Sequence, residues 1–240
     1  MLDPLKQFTV YPIVDLTLFG YDLAITNSTV ALFSGYLILF ILYRIACFKI
    51  KLIPGKIQIC AEVMFKMIDE LVYSTAGKNS GRFCPLIFTL FNFILVSNTV
   101  GIIPFAFAST SHISVTFALA IFLFTLITIV GFIKHGLGYC GILLPRGTPM
   151  FLAPLMIIIE LFAYLARPVS LSIRLAANMT AGHVVLKVLA GFVVLSGILG
   201  VFPFILLTIL TGFELLIAIL QSYIFAVLTC VYLNNALELH

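Results

Sequence analysis

Long apolar runs separated by short polar punctuation dominate the chain from residue 28 onward, and no segment alternates residue by residue. The runs 28–43, 83–104 and 112–133 each approach the ~20 mainly apolar residues that carry a helix across a bilayer. Between the first two, from Pro54 to Ala76, the period changes. Ile57, Cys60, Ala61, Met64, Phe65, Ile68, Leu71 and Val72 recur at three- and four-residue steps among Lys56, Glu62, Lys66, Asp69 and Glu70. That spacing predicts an amphipathic helix lying on the membrane surface. Two further runs, 148–197 and 200–233, exceed one perpendicular crossing. Helices of that length must tilt, bend at Pro154 and Pro168, or break, and together they predict a long tilted C-terminal hairpin. The expected fold is all-α integral membrane, five to six helices in a single polytopic domain. Continuous apolar runs exclude a transmembrane β-barrel.

Six ionisable side chains interrupt the hairpin: Glu160, Arg167, Arg174, His183 and Lys187 on its first arm and Glu214 on its second. Each is costly at the centre of a membrane, by roughly 2.5–3.5 kcal/mol for an arginine or aspartate, so such residues normally face protein or water and serve function. Glu160, Arg167 and Arg174 recur at seven-residue steps and Asn178 follows one turn later, which places all four along one stripe. His183 and Lys187 fall on the opposite side, and Glu214 and Gln221 share a stripe on the second arm. Small residues Ala176, Ala177, Thr180, Ala181 and Gly182 admit a close neighbouring helix. Glu160 is a potential counter-charge for Arg167, and Arg167 and Lys187 are long enough to snorkel to an interface. Arg174 has no acid three or four residues away, so its counter-charge must come from elsewhere, such as another subunit.

Composition adds orientation and removes other classes. Hydrophobic residues make up 62% of the chain, charged residues 9%, and the mean hydropathy is +1.24, which leaves no room for a separate soluble domain. The net charge of +4 is read as topology rather than as a nucleic-acid footprint. Arg44, Lys49, Lys51 and Lys56 after the first span, and Lys134, His135 and Arg146 after the third, mark the inner side. Asp3, Asp15 and Asp22 against Lys6 place residues 1–27 outside. The first residues lack the pattern of a cleavable signal peptide. Cys47, Cys60, Cys84, Cys140 and Cys230 form no pair at metal-ligand spacing and are expected to be buried apolar residues; no metal or cofactor is expected. "GLGYCG" (136–141) spells a dinucleotide fingerprint without the strand and helix that would give it meaning. A proton-coupled secondary transporter is the alternative class, although such folds normally carry paired half-repeats and here the polarity is confined to one hairpin. A haem enzyme would need paired histidines, which are absent.

The segments "ELFAYLARPVSLSIRLAANMTAGH" (160–183), "GFELLIAILQSYIFAVLTCVYLNNALELH" (212–240), "SNTVGIIP" (97–104) and "TSHISVTFALA" (110–120) resemble subunit a of the F-type ATP synthase, in its mitochondrial and alphaproteobacterial form. By that resemblance Arg174 matches the essential arginine facing the rotor ring. Glu160, Ser170, Asn178, His183, Glu214 and Gln221 match polar positions lining two proton half-channels. The placing of His183 and Glu214 resembles the mitochondrial and alphaproteobacterial arrangement, other members having the two on opposite helices. The chain differs at Gly101, where some bacterial members carry an aspartate. The resemblance implies as partners the c-ring, peripheral-stalk b subunits and membrane lipid. It also implies an energy-transducing inner membrane, bacterial before mitochondrial, and a chain that makes no ATP itself. A guanidinium cannot deprotonate and so cannot relay a proton. Arg174 is therefore expected to be a barrier, with His183, Glu214 and Gln221 on the outer path and Glu160 and Ser170 on the inner. The expected coupling ion is the proton rather than sodium.

Overall fold

The computed structural model describes residues 9–14, 17–18, 21–22, 24–48, 53–103, 107–143, 151–196 and 200–237. Among these residues six α-helices make the body: α1 (Asn27–Cys47), α2 (Lys56–Ala76), α3 (Cys84–Ile102), α4 (Ile113–His135), α5 (Ala153–Leu195) and α6 (Val201–Leu237). Five of the helical segments, all but α2, are long and apolar enough to cross a membrane. The protein is thus an all-α membrane protein. Lys6, Lys49, Lys51, Pro104 and Arg146, together with Asp3 and Asp15, lie outside the described residues.

Before α1, two short antiparallel pairs form that the pattern did not predict: β1 (Pro12–Val14) with β4 (Ile25–Thr26), and β2 (Thr17–Leu18) with β3 (Tyr21–Asp22). Two or three residues are too few to display a two-residue period. Thr26 then caps α1, its hydroxyl accepting from the Thr29 amide at 3.4 Å. The inward stripe of α2, Ile68, Leu71, Val72 and Ala76, packs with Ile87 and Phe91 of α3 and Ala226 and Cys230 of α6. A second cluster joins Leu90 and Ile94 of α3, Leu123 of α4, Leu175 of α5 and Phe225 of α6. The outward faces stay apolar: Phe33, Phe122 and Phe162 are all exposed. Lipid tails are as apolar as these side chains, so burial alone does not draw the helices together, and close packing plus interhelical hydrogen bonds must. Tyr43 donates to Asn92 at 2.8 Å between α1 and α3, and the Thr116 and Ser172 hydroxyls meet at 3.1 Å between α4 and α5.

α5 has 43 residues and α6 has 37. At 1.5 Å per residue these reach roughly 64 and 55 Å, so they stay within a ~30 Å core only when inclined by about 60° from the membrane normal. Pro154 sits in the first turn of α5, where its missing N–H is harmless, while Pro168 lies within a helix that continues through it. Cys84 and Cys230 are buried, but Cys47 and Cys60 are exposed, which corrects the expectation for those two. An outward face in lipid is as apolar as an inward one, so apolar surroundings in sequence cannot distinguish them.

Candidate functional site

Arg174 is the central residue of α5 (Ala153–Leu195). Around it the helix divides cleanly: Leu171, Ser172, Leu175, Ala176 and Met179 are buried against the bundle, whereas Ser170, Arg174, Ala177, Asn178 and Ala181 are exposed. The guanidinium thus leaves the bundle at mid-helix. Among the described residues it has no ion pair or side-chain hydrogen bond. Ser170, Ala177 and Ala181 flank it with short side chains, so a second helix can approach to backbone distance. Ser170 likewise makes no side-chain hydrogen bond among the described residues.

His183 turns the other way, into the contact between α5 and α6. Its Nδ1 lies 3.7 Å from Oε1 of Glu214, and the two side chains are only 7% and 6% exposed. That separation suits an ion pair and is too long for a direct hydrogen bond. Gly182 makes the approach feasible, since a Cβ there would lie 2.6 Å from Glu214 Oε1. Gly101 of α3 closes the third side: a Cβ there would sit 3.6 Å from His183 Nε2 and 3.1 Å from the Ala108 Cβ. Gly101 is therefore adjacent to the histidine. Lys187 is within electrostatic reach of His183.

Further buried polar atoms lie on the helices and the turn packed beside this pair. Asn98 of α3 donates to the Ala218 carbonyl at 3.5 Å, and Thr180 donates to the Ser111 carbonyl at 3.1 Å, which ties the 3-10 turn Ser109–Ser111 to α5. Among the described residues, Asn98 Oδ1, Thr110 Oγ1, His112 Nε2, both Glu214 oxygens and Gln221 Nε2 have no hydrogen-bond partner. Such capacity costs free energy unless it serves a hydrated or exchanging site. Asn98, Thr110 and His112 escaped the sequence reading of the site. Their signal was available, as polar residues in and beside "SNTVGIIP" and "TSHISVTFALA" between two apolar spans.

Asn178 donates to Gln221 Oε1 at 3.2 Å. The bond joins the Arg174 face of α5 to the Glu214 stripe of α6, where helical spacing leaves open which face of α5 that stripe meets. Toward the N-terminal part of α5, Arg167 donates to Glu160 at 3.4 Å, with side chains 25% and 30% exposed. The Arg167 guanidinium also lies over the Tyr164 and Tyr232 rings, 5.4 Å from each centroid. Glu160 and Arg167 therefore form a group separate from His183 and Glu214, with Arg174 between them along the helix. No group of three or more metal-ligating side chains occurs among the described residues.

Arg174 is thus an exposed cation at mid-helix, with ionisable groups toward either end of the same helix. The sequence profile of the ATP synthase A chain family matches residues 28–234, from the start of α1 almost to the end of α6. The chain belongs to that family as subunit a of the F-type ATP synthase, the proton-translocating stator subunit that associates with the ring of the membrane sector in an energy-transducing membrane.

Proposed function

We propose that Arg174 faces the ring carboxylates and separates two half-channels, so that protons cross only by riding the ring. The observation that carries this reading is the exposed, unpaired guanidinium at the midpoint of α5, flanked by small residues. A ring carboxylate crosses lipid cheaply only when protonated. Beside Arg174 its ionised form gains roughly 4 kcal/mol of attraction at 4 Å and an effective dielectric of 20. Arrival at Arg174 therefore expels the proton, and departure into lipid requires another. The arginine keeps its own proton throughout.

His183, Glu214, Gln221 and Asn178 supply the outer path. The His183 imidazole and the adjoining Glu214 carboxylate can each hold and release a proton, and they pass one to a ring carboxylate. Glu160 and Ser170 form the inner path, receiving the proton released on approach to Arg174. Each charge crossing the membrane contributes roughly 2.3 kcal/mol per 100 mV, so several crossings must accumulate per ATP. On this reading the chain acts as a non-catalytic part of the complex. The basic residues after α1 and α4 face inward, the N-terminal segment lies outside, and peripheral-stalk b subunits and lipid cover the remaining apolar faces. A bacterial inner membrane is the setting we assign.

In membrane vesicles carrying the whole complex, Arg174→Ala abolishes ATP-driven proton pumping at normal assembly. Pumping at the unaltered rate would sink the barrier role.

A further inference from the structure

Gly136 ends α4 with φ 57, a left-handed conformation that glycine adopts without strain. The chain turns there into a 3-10 segment, Gly136–Leu143, which carries Tyr139 back against the bundle to 4% exposure. The seat is made by Gly131, where any Cβ would overlap the Tyr139 ring, and by the Phe132 ring at 5.0 Å. Burial holds the Tyr139 phenol above its ordinary pKa, so it remains a neutral donor at working pH.

The hydroxyls beyond it have a fixed order. Thr128 donates its proton to the Phe124 carbonyl at 2.7 Å, so toward Tyr164 it can only accept. The Tyr164 hydroxyl, 2.8 Å away, is therefore the donor to Thr128, and at its contact with Tyr139, 3.0 Å, it must accept. The chain runs Tyr139 to Tyr164 to Thr128 to backbone, and only Tyr139 can start it. Tyr164 has particular need of that anchor. Pro168, four residues on, lacks the N–H that would bond its carbonyl, so the helix ladder is interrupted at this residue.

Arg167 depends on the result. Its 3.4 Å contact with Glu160 is longer than the 2.7–2.9 Å typical of a charge-assisted hydrogen bond and leaves the long side chain loosely held. The Tyr164 and Tyr232 ring faces supply the remaining hold.

We propose that Tyr139 is a positioning residue for the inner proton path: through Tyr164 it fixes the aromatic seat of Arg167, which keeps the guanidinium against Glu160. This rests on the reading of Glu160 as a member of that path.

The test uses the assembled complex in vesicles with the catalytic head removed, reading the amount of complex and the passive proton flux per complex. Tyr139→Phe keeps the ring and should assemble normally while flux falls about fivefold, the effect of one lost hydrogen bond. Tyr164→Phe, which also loses the bond to Thr128, should fall at least as far, and the double variant should be no worse than Tyr164→Phe alone. Tyr139→Leu should fall at least as far, with phenylalanine giving no rescue of the hydroxyl's effect. Full flux in Tyr139→Phe with loss in Tyr139→Leu would mean packing alone and overturn the proposal, as would reduced assembly with normal flux per complex. Glu160→Gln separates the two levels. Unimpaired flux there overturns the inner-path reading and this proposal with it. Impaired flux there, with normal flux in Tyr139→Phe, overturns the positioning role alone.

Discussion

An arginine at the centre of a membrane helix is costly unless it faces protein or water, and Ser170, Ala177 and Ala181 beside Arg174 are short enough for the partner helix we propose to reach it. The same economy of size governs the pair behind it. Because a Cβ on Gly182 would lie 2.6 Å from Glu214 Oε1 and 3.0 Å from its Cδ, Gly182→Ala must push the carboxylate away from His183. Passive proton flux per complex should drop several-fold, whereas Gly191→Ala, with nothing within 4 Å of its Cβ, should leave flux unchanged. Equal flux in the two variants would separate the His183 and Glu214 contact from conduction. The identity of these residues was legible in the sequence because ionisable groups stand out in an apolar run. What they touch was not: the reason Gly182 must be glycine lies on a different helix, and the exposure of Cys47 and Cys60 depends on which face the bundle covers.

At the level of the helices, period and run length were enough to reveal five apolar spans and one amphipathic helix, because each is a local property of the chain. Contacts between helices were not readable in this way. Tyr164 meets Tyr139 at a separation of 25 residues and Thr128 at 36, through a turn whose sequence looks like ordinary loop. The strand pairs before α1 were too short to show a period. The Asn178 and Gln221 bond is the clearest link between α5 and α6 that spacing left unjoined. A double-mutant cycle with Asn178→Ala and Gln221→Ala, read as stability of the complex in detergent, should return a coupling of about 0.6 kcal/mol and no more than ~1.7. Additive losses would mean that the bond contributes nothing to holding the hairpin together.

For the whole molecule, orientation and coupling are the two properties that the separate sites must jointly satisfy. Cys47 is exposed at the C-terminal end of α1, beside the basic residues that we place inside, while Cys84 and Cys230 are buried. A membrane-impermeant maleimide should therefore label Cys47 in inside-out vesicles and not in right-side-out ones, and the reverse pattern would invert the assigned topology. The Glu160 and Arg167 group and the His183 and Glu214 pair lie on either side of Arg174 along α5, which supports the coupling we propose, a path between them that runs past the guanidinium or around the ring. The most direct test records ring rotation and proton flux together in single reconstituted complexes of Arg174→Ala under an imposed proton gradient. The account predicts protons leaking down the gradient with no directed rotation and no ATP formed. Rotation that stays proportional to flux in that variant would contradict it.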